Sequence, residues 1–221
     1  MHNLFRVLAS LPYSLYFNLR YLPLGQALRI PILLAPNVRV REMKGKIQLI
    51  GPIKPGITHI GFHRVHVLDE HSEHTILSIS KGATLHLHST AKIGQGTKLI
   101  VRPGAELTLR EGFSTSGNAQ IACYKNISIG SGVISWDTLI TDSDSHSIYD
   151  ATENRINEDR PIYIADKVWI GCRCSILKGT SIPENTIVGA NSLLSGTYTT
   201  PNTILAGNPA KPVKTIDHFE L

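Results

Sequence analysis

The chain has 221 residues, enough for one large domain with an extension, and 42% of them are hydrophobic, so a buried core can form. Its formal charge is +5, with Arg20, Arg29, Arg39, Arg41, Lys44 and Lys46 crowded into the first fifty positions. There is no long run of like charge and no basic–aromatic interleaving. That argues against nucleic acid and leaves an anionic membrane surface or a phosphorylated ligand as the partner for the basic excess.

The three cysteines, Cys123, Cys172 and Cys174, are too few and odd in number for a disulfide framework and fit a reducing compartment. The first residues are apolar but interrupted by Arg6, Pro12, Asn18 and Arg20. They make a poor secretory signal and too broken a stretch for a membrane-spanning helix, so the expected location is cytoplasmic.

In chain order, residues 1–37 read as a helical extension. Leu4, Val7, Leu8, Leu11, Leu15 and Phe17 fall roughly on one side of a helical wheel, and Pro12 is expected to break or kink the helix. Pro31 and Pro36 close off the apolar run IPILLAP. Three readings stay open for this extension: a lid packed on the core, a peripheral membrane contact on the inner face of the membrane, or an oligomer contact.

From residue 38 the texture changes to short β-type runs punctuated by Gly, and a repeat emerges. Near the C-terminus it reads IADKVW, IGCRCS, ILKGTS, IPENTI, VGANSL. The first position holds Ile164, Ile170, Ile176, Ile182 and Val188; the fifth holds Val168, Cys174, Thr180, Thr186 and Ser192. Earlier sixes extend the frame as IGSGVI from Ile129 and SWDTLI from Ser135.

Each six supplies one short strand and one turn. The first-position side chains stack along a shared axis, and the fifth position also faces inward where space is tight. Gly and Asn permit the positive-φ turns between strands. Three strands close a triangular coil, and coils stack into a prism over residues 38–214, leaving a tail at 215–221. Ile176 should point into the axis, and Lys178, two positions on, should face solvent.

The run VWIGCRCSILKGTSIPENTIVGANSLL followed by ILAGNPAKPVK resembles the hexapeptide-repeat acyltransferases, in particular the sugar O-acetyltransferases. The resemblance is strong over residues 127–214, weaker over 80–126 and absent from the N-terminal third. It implies an all-β fold, a left-handed parallel β-helix, assembled as a homotrimer and using acetyl-CoA to acetylate a hydroxyl of a sugar or polysaccharide precursor. The left hand rests on the resemblance alone, because the period does not set it.

The frame breaks once. After SWDTLI comes TDSDSHSIYDATENRINEDRPIY, with little aliphatic content, before Ile164 restarts the repeat. Such an insertion must loop out, and loops on a rigid scaffold often carry catalytic groups. This one carries His146, flanked by Asp142, Asp144 and Asp150. An imidazole suits removal of a hydroxyl proton as the oxygen attacks a thioester, and a carboxylate that orients the ring would help. Which Asp does so is open.

The resemblance implies His146 as the catalytic base, with Asn118 and Asp144 toward the acceptor. It also implies a cofactor groove beside Trp169, Gly171, Gly189 and Ala190, with Lys211 of AGNPAK offering a charge to a CoA phosphate. The alternatives are turn residues, a solvated Lys, or a non-catalytic or metal-binding β-helix assembly module. Seven His lie in one stretch, His59, His63, His66, His71, His74, His86 and His88. They sit on strands and turns without a Cys among them, so no metal is expected. His86 and His88 alternate with Leu85 and Leu87 and should point outward. Cys174 belongs to the fifth position and reads as core.

Overall fold

The structure, a computed structural model, describes residues 2–63 and 74–220. His66 and His71 lie outside the described residues. After two helices, α1 (His2–Tyr21) and α2 (Leu24–Ala27), the chain is built of short strands on three sheets. The sheets have 9, 7 and 6 strands; up to Leu193–Leu194 each successive strand goes to the next sheet in rotation, and the last two strands both join the 9-stranded sheet. Each face of the prism is therefore a ladder of parallel strands from consecutive coils, with one antiparallel strand at the C-terminal end of the first face.

The inward stack follows the repeat. Ile164, Ile170, Ile176, Ile182 and Val188 are buried, and so are Val168, Cys174, Thr180, Thr186 and Ser192 between them. Position one and the fifth position of the preceding six are two residues apart. Strand alternation therefore sends both to the same side. His86 and His88 turn outward between buried Leu85 and Leu87 for the same reason.

Before the loop the frame differs by one residue from the sixes written at Ile129 and Ser135. There the inward pairs are Gly132 with Ile134 and Thr138 with Ile140, while Val133 and Leu139 face outward. The turn between Ile129 and Gly132 is one residue shorter than the turn between Ile164 and Val168, which shifts the phase. Gly132 sits against the next coil so closely that a Cβ would collide with the Val168 carbonyl.

The prism starts earlier than residue 38. Ile32–Leu34, inside the run IPILLAP, is the first strand of the first face and is wholly buried. Helix α1 also runs unbroken across Pro12, contrary to the break or kink expected there. It lies over the first coil, whose outer edge has no preceding coil to pair with. Asn18 fills that role: its side-chain N–H groups donate to the carbonyls of Ile32 and Ser14, each at 2.7 Å, and its Oδ1 accepts from the Ile32 N–H at 3.2 Å. The Leu34 N–H donates to Ser14 Oγ at 3.0 Å. The extension is thus an end cap, as a solenoid requires.

Two substitutions test this account. Asn18→Leu leaves the Ile32 N–H and C=O without their partner and should destabilise the chain by about 1–3 kcal/mol for each orphaned group, read as a fall in the urea midpoint. Ile176→Asp places a carboxylate on the axis and should unfold the C-terminal coils at a cost of several kcal/mol, whereas exposed Glu184→Lys should stay within about 0.5 kcal/mol.

Candidate active site

The insertion leaves the prism after the second-face strand Leu139–Thr141 and returns at the third-face strand Ile162–Ile164. It therefore stands at the corner between those two faces, where a coil can be opened without breaking a ladder. Asp142, at its foot, is fully buried and accepts the N–H groups of Tyr124 at 2.6 Å, Asn126 at 2.7 Å and Lys125 at 2.8 Å. That carboxylate ties the loop to the corner of the preceding coil. Asp150 closes a tight turn, accepting from the N–H groups of Thr152 and Asn154, which holds its carboxyl below the usual range.

Asp144 is engaged as well. Its carboxylate meets the Lys178 ammonium at 2.5 Å and accepts from Asn157 Nδ2 at 2.9 Å. These bonds, Lys178 first, hold the Asp144 carboxyl below its ordinary value. Lys178 does not face solvent as its place in the repeat suggested. Its side chain is only 13% exposed, since the loop folds back over the corner and covers it, and it also donates to the Asn157 carbonyl at 3.1 Å.

Asn157 completes the clamp by donating to the His146 carbonyl at 2.7 Å and accepting the Ile148 N–H at 2.7 Å. The backbone from His146 to Ile148 is thereby held while the His146 side chain stands on the open surface. Among the described residues none of the three loop carboxylates bonds to the His146 ring. Ser145, at φ 64°, donates to the Tyr124 hydroxyl at 3.1 Å and fixes the residue before it. Asn157 and Tyr124 were not singled out from sequence, and Lys178 was singled out only as a solvent-facing position. Their importance depends on which corner the loop covers, and no local motif marks that.

The other predicted residues gather at a different corner, between the first and second faces. In successive coils that corner is turned by Gly96, Asn118, Asp137, Arg173 and Asn191, all at positive φ. The Asn118 amide is held on both sides: its Oδ1 accepts from Lys98 Nζ at 3.1 Å, and its Nδ2 donates to Asp137 Oδ1 at 2.6 Å. Arg173 lies 3.7 Å from the other Asp137 oxygen.

Gly171, Gly189 and Ala190 stack beside this ladder. A Cβ on Gly171 would stand 2.7 Å from the Ala190 nitrogen, and one on Gly189 would stand 3.1 Å from the Ala206 Cβ. Lys211, exposed on the closing hairpin, pairs across it with Ala206. Trp169 faces outward on the adjoining strand, its Nε1–H donating to Ser135 Oγ at 3.3 Å and its ring 6.5 Å from that of Phe219. Structure thus brings Trp169, Gly171, Gly189, Ala190 and Lys211 into one column. His146 and Asp144 stand at the opposite edge of the second face. A separate open groove of about 740 Å³ on the first face, lined by His63, Lys92, Phe113, Ser114 and Val133, holds none of these residues.

Two of the three thiols, Cys123 and Cys174, are buried. Burial first, then the Asp142 charge, pushes the Cys123 thiol up, and burial pushes Cys174 up. Among the described residues no group of three or more His, Cys, Asp or Glu is gathered as a metal site would need.

No family model matches the chain. WbbJ of Escherichia coli (strain K12), named for lipopolysaccharide biosynthesis O-acetyl transfer, is 37% identical over 119 residues, covering 47% of this chain and 60% of its own. The polysialic acid O-acetyltransferase of Escherichia coli O1:K1 / APEC is 32% identical over 139 residues, 59% of this chain and 42% of that one. Among solved structures, the polysialic acid O-acetyltransferase OatWY matches with a TM-score of 0.55 at 25% identity, covering 86% of this chain and 87% of its own. In sequence and in fold the chain is similar to O-acetyltransferases of the hexapeptide-repeat family.

Its prism has the left-handed β-helix fold of such structures, matched also by the polySia specific acetyltransferase NeuO at a TM-score of 0.56 and 19% identity, over 86% of this chain and 79% of that one. The matched region spans about half the length of the curated relatives, 60% of one and 42% of the other.

The loop clamp has a pH signature. A carboxyl held below its ordinary value contributes stability above the unfolded Asp pKa of about 3.9 and loses it as pH falls through the depressed folded value. Lys178→Ala should therefore raise amide exchange in residues 143–157 at neutral pH, whereas the parent should reach that exchange only below about pH 4. Unchanged exchange in the variant would remove Lys178 from the clamp.

Proposed function

We propose that the protein is an O-acetyltransferase that moves the acetyl group of acetyl-CoA to a hydroxyl of a sugar or polysaccharide precursor, with His146 as the general base. The observation that carries the reading is the placement of His146. It is the imidazole of the insertion in the repeat, with backbone clamped and ring on the surface, in a chain whose relatives are named as sugar and polysaccharide O-acetyltransferases.

The reaction asks little of the protein beyond placement and one proton transfer. An imidazole nitrogen of His146 takes the proton of the acceptor hydroxyl as that oxygen attacks the thioester carbonyl. The tetrahedral intermediate collapses, the C–S bond breaks, and the imidazolium returns its proton to the leaving CoA sulfur. Asp144 acts at a distance in this scheme. Through Lys178 and Asn157 it positions the loop and does not touch the ring.

The donor would lie along the column of Gly171, Gly189 and Ala190, where small residues admit a close neighbour, with Trp169 beside the arm and Lys211 toward its phosphates. In one chain this column and His146 stand at opposite edges of the second face. The reading therefore needs a second copy, the His146 loop of one protomer meeting the column of the next. A homotrimer of prisms supplies three such sites.

His146→Ala should lower thiol release from acetyl-CoA in the presence of acceptor by about 10²–10⁴-fold, with folding unchanged. Near-normal turnover would remove His146 from the mechanism. Ala190→Trp should block the column. Mixing the two inactive variants and reassembling them should restore part of the activity, since hybrid oligomers contain sites with an intact loop from one chain and an intact column from the other. No recovery in hybrids would place both sets in one chain's site.

A further inference from the structure

Helix α1 is built inside out. Its buried side carries Ser10, Ser14 and Asn18 with Phe17, the polar three within 1% of complete burial. Its outward side carries Leu8, Tyr16 and Leu19, which are 55%, 58% and 45% exposed, with exposed Ala9 and Pro12 between them. Ser14 and Asn18 serve the cap described above, while the described residues leave the outward apolar side chains exposed. On α2 and the residue after it, Leu24 and Leu28 are 65% and 64% exposed. Five of the twelve large hydrophobic side chains exposed among the described residues therefore sit on this short cap.

Charge makes the same segment exceptional. The first acidic residue of the chain is Glu42, and the residues before it hold five arginines: Arg6, Arg20, Arg29, Arg39 and Arg41. Those five equal the whole formal excess of +5, so the remainder of the chain is balanced. Arg20 and Arg29 are exposed beside the apolar face, and Arg39 and Arg41 are exposed on the outer side of the first coil. No helix of the described residues is long and apolar enough to cross a membrane. An apolar helical face rimmed by Arg, without a single carboxylate, is the composition of a helix that lies in the headgroup layer of an anionic bilayer.

We propose that the N-terminal cap docks this protein on the surface of an anionic lipid bilayer, with Leu8, Tyr16, Leu19, Leu24 and Leu28 in the interface and the arginines against the lipid phosphates. The inference goes beyond the acetyltransferase reading and does not depend on it. It also explains the inverted helix: the polar side is needed to close the β-helix, so the apolar side is left for a partner outside the chain. A bilayer suits the arginine excess better than a second copy, whose identical cap would bring the same positive charge against itself.

The test is cosedimentation of the full chain, without CoA or acceptor, with vesicles of phosphatidylcholine alone or of phosphatidylcholine mixed with phosphatidylglycerol. Binding to the anionic vesicles should be at least about tenfold tighter than to the neutral ones and should weaken as salt rises. Leu8→Glu with Leu19→Glu should abolish it, and so should Leu24→Glu with Leu28→Glu, at unchanged far-ultraviolet circular dichroism and Tm. Arg20→Glu with Arg29→Glu should remove the preference for anionic lipid. Equal binding to both vesicles, binding to neither, or binding indifferent to both leucine pairs would overturn the proposal. So would a larger particle, formed in the absence of vesicles, that the leucine pairs break up; that result would assign the face to a second copy.

Discussion

Every coil of this protein completes the next one. The inward pairs, such as Cys174 with Ile176 and Thr180 with Ile182, stack on the equivalent pairs above and below, while the outward backbone groups of each strand bond to the strand of the next coil. Neither half of that arrangement survives alone, because a single coil has no face to bury and no partner for its ladder. The rest of the structure answers to this constraint. Insertions can enter only where the backbone already turns, glycines appear where coils approach too closely for a Cβ, and both ends of the stack must be closed.

The catalytic proposal is a consequence of where a coil can be opened. A loop at a corner interrupts no ladder, so the segment carrying His146 could be inserted between the second and third faces at little cost to the stack. A free loop would place an imidazole nowhere in particular. Here Asp142 fastens its foot, while Asp144, Lys178 and Asn157 fasten its body, so the carboxylates nearest His146 in sequence hold the backbone. Three acidic residues around a histidine looked from sequence like candidates to orient its ring. In the fold, each is already satisfied by another partner.

The two ends solve the same problem differently. At the C-terminal end, the hairpin of Thr203–Gly207 and Ala210–Thr215 adds an antiparallel strand to the first face. At the N-terminal end, side chains substitute for a missing strand: Asn18 offers Ile32 both a donor and an acceptor, as a neighbouring backbone would. That choice dictates the orientation of helix α1. Once Ser14 and Asn18 must face the prism, helical geometry turns Leu8 and Leu19 away from it.

What was legible in the sequence was whatever repeats. The aliphatic residue at every sixth position and the small residue two before it identified the prism, its inward side chains and the loop that breaks it, because those properties are set by strand alternation and by space on the axis. The grouping of Gly171, Gly189 and Ala190 came from the family resemblance and not from the period. Contacts between parts that do not repeat depended on tertiary structure. The one-residue shift before Ile134 came from a single shortened turn. Lys178 stands at an outward position of its six and is covered only because a distant loop returns over that corner. The wheel of α1 grouped Leu8 with Phe17, but in the fold Phe17 is buried and Leu8 exposed, since a stripe faces the core only where the core needs apolar atoms. Here the core ended in an open strand edge whose unpaired N–H and C=O groups needed hydrogen bonds, so the polar side of the helix was the one drawn in.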